Sequence, residues 1–376
     1  MADDPLFIVA GELSGDAHAA GMLRVLRERL PELRVLGAGG PAMAAACGHP
    51  PGLRDWVEEA AVVGLWEVVR HIRWFKNRFH ELLAEIGRER PRVLVLVDYP
   101  GFNLRLAKAV RAAWPQIRIV YYISPQVWAW HRGRIGRMAR WLDEVLCILP
   151  FEPELFVPAG LPARFVGHPL ADELAGERRA ATRDPQLVGL FPGSRRREVA
   201  RLFPVMLEAG RRLRVNHPDV RFEAPAASPQ LAAFLRDTLA RHHPTLPVEV
   251  LDGGSHALMQ RAQCAVIASG TATLEAAWFG LPYCLVYKVS WPTYFLGRML
   301  VRLPYIGMVN ILAGREVVTE LLQSDADPCE IEHALGRFLT DPAHRGQTVA
   351  ALAEAVAKLG GPGAHQRAAE AIATHW

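Results

Sequence analysis

The chain has 376 residues, 51% of them hydrophobic and 22% charged, with a formal net charge of +4. That profile excludes a disordered chain, exceeds what one hydrophobic core usually serves, and is too weakly basic to argue for nucleic acid on charge alone. The five cysteines are scattered, without a Cys-x-x-Cys pair, which argues against a disulfide framework or a zinc site and fits a reducing cytoplasm.

Asp3 and Asp4 precede a short apolar run, Leu6 to Ala10. A signal peptide needs a basic start and a longer apolar stretch, so none is expected. No window approaches the roughly 20 apolar residues that span a bilayer, so any membrane contact is expected to be peripheral. Leu6 to Ala10 reads as a buried strand running into Gly11-Glu12-Leu13-Ser14-Gly15-Asp16, followed by a helix through Leu23, Leu26 and Leu30. A second strand, Arg34 to Leu36, meets Gly37-Ala38-Gly39-Gly40-Pro41; Arg92 to Val97 and Ile117 to Ile123 are further apolar runs. Buried runs alternating with amphipathic helices predict a parallel sheet covered on both faces.

Between Asp172 and Asp184 the sequence turns Ala-, Glu- and Arg-rich, and the same grammar then restarts. Leu187 to Leu190, Val220 to Ala224, Val248 to Leu251, Cys264 to Ala268 and Tyr283 to Tyr287 read as strands. The expected architecture is α/β: two doubly wound, Rossmann-like domains with a cleft between them, residues 1–172 and 185–341, and a helical tail over 342–376.

Strand ends followed by small residues are where such sheets bind ligands, because helix N-termini present free amides there. Pro192-Gly193-Ser194-Arg195 follows a strand; its glycine, hydroxyl and guanidinium suit a phosphate, and it reads equally as a structural turn. Ser269-Gly270-Thr271 follows another strand and fits a diphosphate, with Glu275 one helical turn further on, where a carboxylate can hold ribose hydroxyls. Its alternative is a helix cap at Ser269 or Thr271. Asp98 ends a central strand and is either a general base or a cap for the next helix. The glycines at 37–40 lack the third glycine and the later acidic residue of a dinucleotide fingerprint. Asp325-Ala326-Asp327 matches a short metal-binding pattern but stands in a turn before Pro328, so no metal is expected there.

Two stretches combine aromatic and basic residues. Across residues 65–79, Trp66, Val69, Ile72, Phe75 and Phe79 share one side at helical spacing, with Arg73, Trp74 and Arg78 beside them. The other stretch, Trp291 to Arg302, holds Tyr294, Phe295, Leu296, Met299 and Leu300. Such a pattern suits an acylated anionic ligand or a membrane surface, and equally an ordinary amphipathic helix.

The order of the motifs is more telling than any one of them. Ala10 to Asp16, Gly39-Gly40-Pro41-Ala42-Met43, Gly64-Leu65-Trp66-Glu67-Val68 and Asp98-Tyr99-Pro100-Gly101-Phe102-Asn103 resemble lipid-A-disaccharide synthases. So do Ser124-Pro125-Gln126-Val127-Trp128-Ala129-Trp130, Leu149-Pro150-Phe151-Glu152 and Val166-Gly167-His168-Pro169-Leu170. The Pro192 and Ser269 loops, Asn310-Ile311-Leu312-Ala313-Gly314 and Glu320-Leu321-Leu322-Gln323 complete a collinear series over residues 10–323. Val309, Gln126 and Gly101 depart from the usual Pro, Ser and Asp of that family.

The resemblance implies a GT-B inverting glycosyltransferase that needs no cofactor or metal. It would transfer 2,3-diacylglucosamine from its UDP donor to 2,3-diacylglucosamine 1-phosphate. It implies catalytic roles for Asp98, Arg195 and Asn310, and substrate binding by Glu12, Ser14, Ser194, Ser269, Gly270, Thr271, Glu275 and Gln323. Acyl-chain or membrane contact falls to Trp66, Val69, Ile72, Arg73, Trp74, Phe75 and Arg78. The expected location is cytoplasmic, at the inner-membrane surface, with a homodimer as an open alternative to the monomer.

Overall fold

The computed structural model describes residues 4–60, 65–179, 182–291, 294, 297, 299 and 303–376, with backbone alone for 58, 60 and 65–71. The chain divides into two compact units, one of residues 1–172 with 359–376, the other of residues 173–358.

The first unit is built on a seven-stranded parallel sheet in the order β3-β2-β1-β4-β5-β6-β7. Its strands are β1 (Leu6–Ala10), β2 (Val35–Gly39), β3 (Leu53–Asp55), β4 (Val93–Val97), β5 (Arg118–Tyr122), β6 (Glu144–Cys147) and β7 (Ala163–Phe165). Alternate residues of β1 enter two different cores: Phe7 and Val9 pack with Leu94, Leu96 and Leu106, while Leu6 and Ile8 pack with Leu23, Leu26 and Val95. Burial on both faces is why these strands read as unbroken apolar runs.

The second unit repeats the plan with six parallel strands in the order β10-β9-β8-β11-β12-β13. They are β8 (Asp184–Phe191), β9 (Arg221–Ala226), β10 (Val248–Asp252), β11 (Ala262–Ala268), β12 (Tyr283–Tyr287) and β13 (Glu320–Leu322). In both sheets the strand order reverses direction between two central strands, β1 and β4 in one and β8 and β11 in the other. Ligands of open α/β sheets bind beyond the carboxyl ends of strands at that switch point.

The segment expected as one helical tail is divided. The helix Pro342–Ala357 packs on the helix Thr271–Trp278 in the second unit, whereas Ala364–Ala373 lies against Leu13–Arg29 in the first. The Asp172 carboxylate caps that last helix, accepting from the backbone N–H of Ala364 (3.2 Å) and His365 (2.8 Å). No described helix is long and apolar enough to cross a membrane.

Candidate active site

The loops after β1 and β4 meet at the first switch point. Asp98 and Tyr99 both adopt left-handed backbone, with φ of 45° and 51°. That conformation strains residues other than glycine and persists only where its surroundings over-determine it. Four restraints do so. The Asp98 amide donates to Tyr122 O at 3.0 Å. Its carbonyl accepts from the Tyr121 hydroxyl (2.5 Å) and from Asn103 Nδ2 (2.8 Å). Pro100 opens the following helix, Pro100–Ala113, at a position where the missing N–H costs nothing. Finally, the Tyr99 ring lies on Gly11, where an added Cβ would meet Cδ1 at 2.2 Å. The cap alternative for Asp98 is not realised, since Tyr99 occupies the N-cap position and no side chain caps that helix.

The Asp98 carboxylate is thus held at the end of a buried strand and only partly exposed. Burial raises its pKa to about 6, the nearby Glu12 charge adds to the rise, and the Tyr99 N–H and His18 oppose it. Such a group is ionised at neutral pH yet more basic than an ordinary aspartate, as a general base requires. Glu12 and Ser14 are exposed at the start of the helix Leu13–Arg29.

Asp16, in the same motif, faces inward and is 1% exposed. Its carboxylate accepts from the N–H groups of Gly40 (2.8 Å), Ala42 (2.9 Å) and Met43 (3.0 Å). It therefore caps the helix Pro41–Ala46, and it fills the space that a Cβ on Gly40 would need, as Ile8 and Met43 do for Gly37 and Gly39. Sequence reasoning gave Asp16 no role; its only signal was an acidic residue one turn into a glycine-bearing loop.

At the second switch point, two helices begin beyond β8 and β11 with no side-chain cap: Arg196–Asn216 behind Arg195, and Thr271–Trp278 behind Gly270. The cap reading of Ser269 and Thr271 is therefore not realised. Ser194, Arg195, Gly270 and Thr271 are exposed and Ser269 partly so. Uncapped helix N-termini beside an exposed guanidinium and hydroxyls make a ready anion site. Gly193 has a φ of 104°, and the Glu198 side chain occupies the space a Cβ would need. Glu275 is partly buried, and burial raises its pKa against the opposing charge of His256. His256 Nε2 lies 3.4 Å from Glu275, and its Nδ1 lies 2.5 Å from Glu177.

Two residues expected at the substrate turn inward instead. Asn310 is fully buried. Its Nδ2 donates to Val318 O (2.8 Å) and to the Glu320 carboxylate (2.8 Å). Its Oδ1 accepts from Val317 N (2.7 Å) and Val318 N (3.0 Å). Every polar atom is used within its own unit, and together these bonds fix the turn at 317–320. Gln323, at φ 53°, likewise clasps one backbone unit: Val289 N donates to its Oε1 (2.7 Å) and its Nε2 donates to Val289 O (3.1 Å). Asp327 is a helix cap, accepting from Cys329 N at 2.7 Å.

Of the expected acyl-contact residues, the Trp66 and Val69 side chains lie outside the described ones. Ile72 is 49% exposed, and Arg73 is exposed too. Trp74 instead stacks on Trp56 at 5.8 Å and donates to Glu59 at 2.7 Å. Phe75 packs edge-on against Trp74, and both aromatics lie against the core of the first unit. Arg78 sits over the Trp74 ring and is ion-paired with Glu81 at 2.7 Å. With Ala38, Arg54, Asp55, Trp56 and Leu82 it lines a cavity of about 150 Å³. Among its described residues the helical stripe is thus part packing and part surface. In the second stretch Trp291 and Met299 are exposed, while Phe295, Leu296, Arg298, Leu300 and Arg302 lie outside the described residues.

Two Rossmann-like units of this kind define the fold shared by GT-B glycosyltransferases and sugar-nucleotide epimerases. The calicheamicin glycosyltransferase CalG4 superposes with a TM-score of 0.58 at 16% identity, covering 100% of this chain and 98% of that one. A UDP-GlcNAc 2-epimerase from Neisseria meningitidis, bound to UDP-GlcNAc, gives 0.59 at 11% identity, with 99% of each chain covered. At those identities the likeness speaks for the fold alone. Sequence is more specific: the family described as lipid-A-disaccharide synthetase matches residues 6–374. A lipid-A-disaccharide synthase of Geobacter sulfurreducens is 42% identical over 374 residues, 97% of this chain and 95% of the relative. The chain belongs to the lipid-A-disaccharide synthetase family.

Proposed function

We propose that this chain transfers 2,3-diacylglucosamine from its UDP donor to 2,3-diacylglucosamine 1-phosphate, with inversion and without a metal. The observation that carries the reading is Asp98: a strained, partly buried carboxylate with its pKa raised to about 6, at a switch point, in a chain of this family. Asp98 takes the proton of the acceptor 6-hydroxyl. The oxygen attacks the donor C1 from the face opposite the nucleotide, the C1–O bond to the diphosphate breaks, and UDP departs with that electron pair. The product is a β-1,6-linked disaccharide 1-phosphate. Arg195, Ser194 and the open amides behind Arg195 and Gly270 hold the diphosphate and accept its developing charge. Glu275 holds the ribose hydroxyls, His256 keeping its carboxylate in place. Glu12 serves twice, as a surface for the acceptor and as the charge that keeps Asp98 basic. Asn310 and Gln323 act as positioning residues. Exposed Ile72 and Arg73 touch acyl chains at the cytoplasmic face of the inner membrane.

The test is UDP release from UDP-2,3-diacylglucosamine, with and without 2,3-diacylglucosamine 1-phosphate, in EDTA. Acceptor-dependent release with a disaccharide product is expected. Release that ignores the acceptor would point to an epimerase or hydrolase instead.

A further inference from the structure

The segment between β5 and β6 is not used by the function as stated so far. It leaves the first sheet at the edge occupied by Asp98: Tyr122, the last residue of β5, pairs with Val97, and Asp98 N donates to Tyr122 O. Its base is clamped by Glu152, a carboxylate 1% exposed. Glu152 accepts from Ser124 Oγ (2.5 Å), Trp128 Nε1 (3.1 Å) and Leu149 N (3.1 Å). A buried carboxylate with three donors is a costly thing to build and fixes the loop that follows.

Beyond the clamp the chain reads Trp130-His131-Arg132-Gly133-Arg134-Ile135-Gly136-Arg137-Met138-Ala139-Arg140, with four arginines and no acidic residue. Ile135, Met138 and Leu142 are buried and anchor it. Arg132, Arg137 and Arg140 are exposed, and Arg134 is partly buried with its guanidinium 5.8 Å from the centre of the Trp130 ring. Trp130 itself is 43% exposed. Among the described residues none of these four arginines has a carboxylate within ion-pair distance, whereas Arg111 and Arg118, close by, are both paired with Asp143. Arg134 is near enough to the base for its charge and that of Asp98 to act together on the Tyr121 hydroxyl, in opposite directions.

We propose that Arg134, stacked on Trp130 and supported by Arg132, is the seat of the acceptor's phosphomonoester. The inference rests on Asp98 being the base for that same acceptor. The phosphate and the reacting hydroxyl belong to one sugar, so a phosphate seat must stand beside the base. A dianion needs more than one cation, and the arginine fork matches its oxygens. The Trp130 face offers apolar area to the sugar ring that carries them.

Initial rates in neutral-detergent micelles, with 2,3-diacylglucosamine 1-phosphate and phosphate-free 2,3-diacylglucosamine as acceptors, test this on wild type, Arg134→Gln and Arg134→Lys. Thermal unfolding of each variant serves as the check on folding. Wild type should prefer the phosphorylated acceptor. In Arg134→Gln that preference should shrink by about tenfold or more, through the acceptor KM rather than kcat, with Arg134→Lys between the two. An undiminished preference, or an equal loss with both acceptors, would overturn the assignment. So would a defect that appears only on vesicles of anionic phospholipid, which would assign the arginines to lipid headgroups. If wild type joins neither acceptor, the base reading itself fails and this inference falls with it.

Discussion

The turns after β4 and β11 occupy equivalent places in two similarly built sheets, yet they are finished in opposite ways. After β4 the backbone is strained, and Tyr121, Asn103 and Gly11 brace it. After β11 the chain enters its helix with no strained side-chain-bearing residue and no side-chain cap, leaving amides and hydroxyls open. The first arrangement fixes one carboxylate to a narrow position and shifts its acidity; the second presents several weak donors to whatever anion arrives. Braced geometry suits chemistry and open geometry suits binding, since a reacting group tolerates little misplacement whereas a diphosphate can settle among many donors. On this view the first unit supplies the reaction and the second holds the leaving group.

Removing the braced group should have the largest effect. Asp98→Asn keeps the shape and loses the base, so turnover should drop about 10³-fold, within the range for a positioned general base. A variant with near-normal turnover would remove Asp98 from the chemistry.

Next in size is a change at an inward-turned residue. Asn310→Ala leaves two backbone N–H groups, a carbonyl and the Glu320 carboxylate each short of a partner. Buried unpaired groups cost about 1–3 kcal/mol each, so a loss of roughly 3 kcal/mol or more is expected in denaturant unfolding of the second unit. Wild-type stability combined with lost turnover would restore Asn310 to the catalytic group.

The open turns should respond more mildly. Arg195→Gln removes a charge-assisted contact worth about 1.5–3 kcal/mol, so UDP affinity should weaken roughly 10- to 100-fold by calorimetry. Unchanged affinity would show that the amides alone hold the nucleotide.

The last effect is on stability and carries a definite sign. The folded-state pKa of Asp98, about 6, lies above the ordinary aspartate value. Its contribution is therefore fully favourable in acid and is lost as pH rises through about 6. Asp98→Asn should be more stable than wild type near neutral pH, by up to about 3 kcal/mol, with the gap closing toward pH 4. Turnover runs the other way, since the base must be ionised: it should fall about tenfold per unit below pH 6 in wild type. An Asn variant no more stable than wild type at pH 7.5 would mean that burial does not raise this carboxylate's pKa.

Much of this was legible in the sequence, for reasons particular to each element. β1, β4, β5, β8 and β11 are buried on both faces and announce themselves as apolar runs. β3, β7 and β13 are three residues long and lie at sheet edges, too short to carry a pattern. β6 opens with Glu144, whose buried carboxylate pairs with Arg164 and lies 2.7 Å from His375 Nε2, both from distant positions. Motif order pointed to Asp98, Arg195 and the Ser269 loop, but spacing alone does not tell which way a motif residue faces. Asn310 and Gln323 look like ligand contacts in the sequence and bond to backbone in the fold, and Asp16, which carries no such expectation, does the same. Amide and carboxylate groups serve both purposes, and only the neighbouring backbone decides between them.

The division between braced chemistry and open binding is tested most directly by the UDP affinity of Asp98→Asn, measured by calorimetry on the variant whose turnover has been lost. Affinity within about twofold of wild type is the predicted result, because none of the groups assigned to the nucleotide has changed. A tenfold or greater weakening would contradict it, making Asp98 part of the nucleotide site rather than the base that acts on the acceptor.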